Sequence, residues 1–428
     1  MVTMVMARST ARSRRPPSGG PRSTRTVLRA GTVIAGDQLQ PIRDGVVVIE
    51  DGTIATVGPD RGETAVDVDL GDLTLAPGLI DAHAHLWSDC GPRFDSSTSV
   101  SQMLLRTISN AQRFLHAGVT TVRDLGSPLT VGSDVRDAID AGLVAGPRLV
   151  VANRVITVTG GHGHQMGIEC DDAGALRRAV RQLVKDGSDW VKVMASGGFV
   201  HVRRSEGSAP YFPLFDLDEM RTIVAEAHKY GLPVAAHCQN RDSIAIALEA
   251  GVDTIEHCTF AAIPQARLDE ALVASIAEQG KYVVPTANNY WLTTGVPWAP
   301  AEVALANLRR LHEAGARLVA GTDMGIPTTT PELYAEGLRV FLQIGMDLRQ
   351  ILAAATTIAA DALGLRDVTG SITTGLDADL VALEGDPLSD FEAYTRPRVV
   401  VTRGRVVDLD PAMGRSTGTR DGARGARL

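Results

Sequence analysis

From Gly78 to Leu365 one hydrophobic pattern recurs: an amphipathic stretch at helical spacing, a glycine, then a short run rich in Val, Ile, Thr and Ala. The glycines are Gly118, Gly146, Gly187, Gly231, Gly251, Gly280 and Gly315. Glycine closes a helix in the left-handed conformation without strain, and a strand buried on both faces reads as a continuous β-branched run. Each unit therefore predicts helix, cap, parallel strand. The predicted strands are Gly78 to Asp81, Val119 to Val122, Arg148 to Ile156, Trp190 to Met194, Pro233 to Ala236, Thr254 to Ile255, Tyr282 to Pro285 and Leu318 to Ala320. Strands alternating with helices in this number and over this length predict an α/β fold, a closed (β/α)8 TIM barrel. A doubly wound open sheet is the alternative, but no GxGxxG follows the first strand.

The flanks have a different texture. Between Val27 and Leu75 short β-like runs are punctuated by Gly, Asp and Pro, and the same texture returns in Gly370 to Ile372, Asp379 to Leu383 and Val399 to Val407. Neither flank has enough strands to bury a hydrophobic face alone, so the two predict one small β-sandwich built from both chain ends. The domain reading is a basic tail over 1–26, sandwich over 27–76, barrel over 77–365, sandwich again over 366–410 and a tail over 411–428.

Composition narrows the function classes. The net charge of −8 is uneven: residues 1–30 hold seven arginines and no acid, residues 411–428 four arginines against Asp421, which leaves about −18 for the body. An acidic body lacks the clustered Lys and Arg on which affinity for phosphate backbones rests, so no nucleic-acid partner is expected. No run of eighteen apolar residues occurs, so no membrane span is expected. The start holds Arg14-Arg15 but no apolar stretch before Pro16-Pro17, which disfavours a signal peptide; it reads as a solvated tail or as a start codon upstream of Met4 or Met6. Cys90, Cys170, Cys238 and Cys258 lie far apart with no CxxC spacing, which fits a reducing, cytoplasmic setting.

Barrel enzymes carry their chemistry where strands end. Just past the apolar runs stand His83 and His85 in Asp81-Ala-His-Ala-His85, then Lys192, His237, His257 and Asp323. Side chains two apart on a strand share a face, so His83 and His85 can chelate one cation. Lys192 is one of four lysines against 38 arginines, and it sits in a buried run where an unpaired ammonium is costly. Desolvation favours the neutral amine, which can take up carbon dioxide as a carbamate able to bridge two metals; the alternative is a lysine paired with a barrel acid. His237 and His257 end successive strands and can face a second cation. Asp323 ends the last strand, beside the first, where it could bind metal and take a proton from water, or instead cap the next helix. His116, His228 and His312 precede capping glycines and read as structural. His162 and His164 lie on the glycine-rich loop after the third strand, as substrate contacts or metal ligands, and Tyr211 with His201, Arg203 and Arg204 lies on the loop after Lys192, where a carboxylate could be recognised.

Taken together, Ala-Pro-Gly-Leu-Ile-Asp-Ala-His-Ala-His, Val-Lys-Val-Met-Ala-Ser-Gly-Gly, Pro-Val-Ala-Ala-His, Ile-Glu-His and Gly-Thr-Asp resemble the metal-dependent amidohydrolase superfamily. Within it the chain is similar to the imidazolonepropionase-like branch, with its prolidase-like dipeptidases and N-acyl amino acid hydrolases. The resemblance runs from about Val27 to Val407. It implies two divalent metal ions, expected to be zinc: one held by His83, His85 and Asp323, the other by His237 and His257, with N6-carboxylated Lys192 between them. It also implies Asp323 as the catalytic acid–base, substrate contact at His162, a small-molecule substrate bearing a carboxylate, and a homo-oligomer. The chain departs from the branch at Cys238-Gln239 and in the His201 to Ser205 loop, which touches the substrate pocket and not the ligands. Imidazolonepropionase itself is disfavoured, because enzymes of that mononuclear type do not use a bridging lysine.

The leading expectation is hydrolysis of an amide bond in a dipeptide, of Xaa-Pro type, or in an N-acyl amino acid. Hydrolysis of a lactone, carbamate or phosphotriester, or deamination, are alternatives on the same scaffold. A barrel that has lost catalysis and serves in assembly is the alternative from another class; the full set of six ligand candidates argues against it.

Overall fold

β-Branched runs become strands where they can pair, and the computed structural model shows which neighbours they find. It describes residues 24–62, 65–91, 98–198, 211–296, 299–407 and 409. Both chain ends enter one mixed eight-stranded sheet. Arg25–Ala35 pairs antiparallel with Gln40–Glu50, which pairs with Thr53–Pro59. On its other side it runs parallel to Val68–Asp69 and Thr74–Pro77. Thr74–Pro77 then pairs antiparallel with Leu380–Leu383, followed by Pro397–Thr402 and Arg405–Val407. The junction between early and late strands lies at Ala76↔Val381, both fully buried.

The central region builds two all-parallel sheets. One holds the His83 strand (Leu79–Ala84), the Arg123 strand (Val119–Asp124) and Arg148–Val151. The other runs Gly167–Glu169, Val155–Thr157, the Lys192 strand (Val191–Met194), the His237 strand (Val234–Asn240), the His257 strand (Thr254–Ala261), Tyr282–Val284 and Arg317–Leu318. Backbone hydrogen bonds join both edges of the three-stranded sheet to chain beside the other, just past Arg317–Leu318 and just ahead of the Lys192 strand. The Ala82 amide donates to Ala320 O at 2.9 Å, and the Asp189 amide donates to Val151 O at 2.7 Å. Every residue of the His83, Lys192, His237 and His257 strands is buried, as strands covered on both faces must be.

The helices begin and end on local chemistry. Asp216 and Glu219 form a reciprocal capping box at the start of Leu217–Lys229, and Asp172 and Asn240 cap Ala173–Lys185 and Arg241–Ala250. Two local expectations need correction. Gly146 is not in the left-handed region; the helix Val131–Asp140 is followed instead by Gly142 at φ +72°. The run Arg148 to Ile156 is not one strand: Asn153 at φ +54° turns the chain, and Ile156 pairs with Val193. Asn153 stabilises that turn by accepting from the Ser133 amide at 3.0 Å and donating to Ser188 Oγ at 3.1 Å.

The early and late strands are tied to the central sheets by a buried charge cluster. Arg148, at the start of its strand, reaches Asp377 at 2.8 Å and the fully buried Asp379 at 3.0 Å. Among the described residues no helix is long and apolar enough to cross a membrane.

Candidate metal centre

His83 and His85 leave the end of their strand toward one carboxylate. Nε2 of His83 lies 3.5 Å and Nε2 of His85 3.2 Å from Oδ1 of Asp323. Potential ligand atoms of these three side chains lie within 4.8 Å of one another. Asp323 reaches the site because the chain after the last strand runs on parallel beside the His83 strand. The Asp323 amide donates to His83 O at 2.8 Å, and the His85 amide donates to Met324 O at 2.6 Å. Asp81 fastens the same segment, accepting from the Thr322 hydroxyl at 2.6 Å and the His83 amide at 3.0 Å. Only glycine fits at position 325, where φ is +115° and a Cβ would stand 2.7 Å from His85 Cβ.

The His237 and His257 rings meet at 4.3 Å between centroids, and the His257 ring is 5.0 Å from that of His83. His257 gets there through a break in strand geometry. Alternation would send adjacent Glu256 and His257 to opposite faces, but His257 and Cys258 adopt φ of +68° and +55°. Such conformations are rare for side-chain-bearing residues and concentrate at functional sites; Asp323, at φ +59°, shares the feature.

Hydrogen bonds assign a proton to each imidazole. Nδ1 of His85 faces Gly126 O at 3.0 Å, and a carbonyl only accepts, so Nδ1 carries the proton. Nδ1 of His83 donates to Glu256 at 2.7 Å. The Thr286 hydroxyl donates to Pro285 O at 2.7 Å and so accepts from His257 Nδ1 at 2.9 Å. His237 is turned the other way, with Nε2 facing Gly197 O at 3.3 Å. His83 and His257 thus offer a lone pair at Nε2 and His237 at Nδ1, while on His85 the nitrogen left for a cation is Nε2, which shares its proton with Asp323.

Burial and neighbouring charges set the protonation states. Burial first holds His83 and His237 well below the usual imidazole range, with the Lys192 charge adding to it at His83, and burial pulls His257 down to about 3. These rings stay neutral, as metal ligands must. Burial also acts on His85, but the Asp323 hydrogen bond and charge outweigh it and raise it. Burial would push Asp323 up; the His85 hydrogen bond and charge outweigh it and hold the carboxyl well below the usual carboxylate range.

Lys192 is 1 % exposed, and its Nζ has no hydrogen-bond partner among the described residues. It lies on the strand beside His237, in register with Ala235 two residues earlier, and burial pulls its pKa down to about 8. His83 Nε2 is likewise buried without a hydrogen bond. Three neutral imidazoles with oriented lone pairs, His85 paired at Nε2 with an ionised carboxylate, and an orphaned buried amine fit divalent cations of the zinc type, which would take the place of the proton His85 shares with Asp323.

Of the substrate candidates, His162 packs its ring 4.6 Å from that of His237. Gly198 makes the room, since a Cβ there would stand 2.5 Å from the His162 ring. His164 is turned into its own loop, with Nδ1 on Gly161 O at 3.0 Å. Tyr211 is half-buried against the apolar core, next to residues 199–210. His201, Arg203 and Arg204 lie outside the described residues. His116 and His228 make contacts that fit structural roles, to Gln112 O at 3.1 Å and Asp253 at 2.8 Å. Sequence reasoning missed Glu256, Arg123, Thr286 and the role of Asp81, because each acts through a ligand candidate and carries no metal-ligand spacing of its own.

The family model of the amidohydrolase family matches residues 74–407. The chain belongs to the amidohydrolase family. Within it, the chain stands in the imidazolonepropionase-like branch, and it is a hydrolase acting on carbon–nitrogen bonds. Ochratoxinase from Aspergillus niger is 28 % identical, covering 91 % of this chain and 88 % of its own. Imidazolonepropionase from Deinococcus radiodurans is 28 % identical over 83 % of this chain and 89 % of its own. The crystal structure of a Xaa-Pro dipeptidase with bound methionine in the active site superposes with a TM-score of 0.78 at 26 % identity, covering 90 % of this chain and all of that one. Metal dependence is general in this family, and the His83–His85–Asp323 group is consistent with it.

Proposed function

We propose that this amidohydrolase is binuclear and cleaves the amide bond of a dipeptide of Xaa-Pro type or of an N-acyl amino acid. The observation that carries the reading is the orphaned Lys192 amine, buried on the strand beside His237 in a centre where His83, His85 and Asp323 converge and His237 meets His257. We read the two parallel sheets as one (β/α)8 barrel over residues 77–365, supported by the hydrogen bonds that link both edges of the three-stranded sheet to the other. The mixed sheet from both chain ends is read as the sandwich of residues 27–76 and 366–410. Four free, buried cysteines fit a cytoplasmic protein.

In this reading His83, His85 and Asp323 hold one ion and His237 and His257 the other. Lys192 joins the two sets after its neutral amine adds to carbon dioxide, forming an N–C bond and releasing one proton. When bound, two divalent cations acidify the attacking water and polarise the scissile carbonyl. Asp323, held ionised, accepts the proton of that water at a carboxylate oxygen and delivers it to the departing amine nitrogen. His162, beside His237, orients the substrate, and a carboxylate on the substrate would balance the cationic side of the centre. The products are a carboxylic acid and an amine.

The test is turnover by zinc-loaded protein of a panel of Xaa-Pro dipeptides, N-acyl amino acids, lactones, carbamates and phosphotriesters. Equal release of acid and amine from a dipeptide or N-acyl amino acid, abolished by chelation, supports the proposal. Turnover restricted to lactones or phosphotriesters, or release of ammonia, contradicts it.

A further inference from the structure

Two wholly buried charges in the barrel interior remain unused by this mechanism. Arg123 and Glu256 have fully buried side chains and pair at 2.9 Å. Arg123 comes from the strand next to that of His83 and spends its donors across the interior: Nε on Ala82 O at 2.7 Å, Nη1 on Thr254 Oγ1 at 3.2 Å, Nη2 on Glu256 Oε1. Its guanidinium lies over the Trp190 ring, 4.4 Å from the centroid. Glu256 Oε1 also accepts from the Thr254 hydroxyl, which leaves Oε2 for Nδ1 of His83 at 2.7 Å. A carboxylate can only accept here, so the contact requires the proton on Nδ1 and frees Nε2, the atom that faces Asp323.

We propose that Glu256 and Arg123 are a positioning pair that fixes the tautomer and orientation of His83 and thereby sets the metal affinity of the His83–His85–Asp323 group. This rests on the metal-centre reading above. Glu256 acts directly on the imidazole. Arg123 acts through Glu256: its charge balances a carboxylate that no water reaches, and its fork, locked by Ala82, Thr254 and Trp190, lets Glu256 point only one way. Trp190 and Thr254 so connect the start of the Lys192 strand and the His257 strand to a ligand on a third strand.

Glu256→Gln separates this role from bulk. The carboxamide keeps the shape, but its NH2 must face either Arg123 or His83. Facing His83, it donates to Nδ1 and forces the proton to Nε2, removing the lone pair from the metal side. Zinc binding to chelator-stripped protein, measured by competition with a chromophoric chelator, is expected to show two equivalents on the parent. In folded Glu256→Gln one of them should weaken by about 10- to 100-fold, with Arg123→Met similar and Arg123→Lys retaining most of the affinity. The second readout needs neither metal nor mutation of the pair. Nitrogen-15 imidazole spectra of the metal-free parent, with His83 assigned by its loss in His83→Gln, should show the Nδ1–H tautomer. Two zincs on the parent with unchanged affinity in folded Glu256→Gln overturn the positioning role alone, as does an Nε2–H tautomer of His83 in the parent. A parent that binds no zinc overturns the metal-centre reading and this proposal with it.

Discussion

Replacing Lys192 by methionine in the metal-free protein isolates the physical origin of the proposed carbamate. Burial lowers the Lys192 pKa from 10.5 to about 8. At about 1.36 kcal/mol per unit, that is a penalty of roughly 3 kcal/mol on folding with a protonated lysine. The sign follows from proton counting. Below about pH 8 both folded and unfolded chains carry the proton, and the full penalty applies. Between about 8 and 10.5 only the unfolded chain carries it, so stability rises with pH; above that window neither does. Lys192→Met keeps the length of the side chain without the charge. In chelator and carbon-dioxide-free buffer, urea midpoints should show it more stable than the parent by roughly 3 kcal/mol at pH 7, with the gap closing toward pH 10. Other groups titrate in both proteins and largely cancel in the difference. Added bicarbonate should stabilise the parent and leave the variant unmoved, because only the parent has an amine to carboxylate. A gap independent of pH, or equal responses to bicarbonate, would refute the reasoning.

Three further outcomes follow from the geometry. Gly325→Ala places a methyl 2.7 Å from His85 Cβ at a backbone angle of +115°, so it should displace His85, lose zinc at the His83–His85–Asp323 group and lower kcat/KM about 100-fold in a folded protein, by metal analysis and steady-state kinetics. Thr286→Val removes the acceptor for His257 Nδ1 and should weaken the second zinc by about 10- to 100-fold in chelator competition, with Thr286→Ser restoring it. Arg148→Met strips the charged partner from buried Asp379, which keeps the Arg403 amide and Thr402 hydroxyl on Oδ1, and should lower stability by about 3–5 kcal/mol in urea titrations while leaving the zinc content of the folded protein unchanged.

The ligand candidates were legible because metal chemistry restricts residue type and strands restrict spacing. His83 and His85 show their shared face by being two apart, and His237 and Asp323 mark the ends of apolar runs. The partners that orient them were not. Strand alternation argues against Glu256 facing the same interior as His257, and only the left-handed angles at His257 and Cys258 make both possible. Arg123 sits in an apolar run, where a sequence shows its burial but not the carboxylate opposite. Which imidazole nitrogen is free depends on carbonyls such as Gly126 O and Gly197 O, which any residue could supply. The helix-glycine-strand rhythm located the parallel strands, yet it ran through the Asn153 turn, because a left-handed asparagine inside a β-branched run leaves the hydrophobic pattern intact.

Anomalous diffraction at the zinc edge, on crystals grown with zinc and bicarbonate, tests the central claim most directly. The account predicts two zinc peaks, one among His83, His85 and Asp323 and one at His237 and His257, with a carboxylated Lys192 between them. A single peak, or a bare Lys192 amine between two, would contradict it.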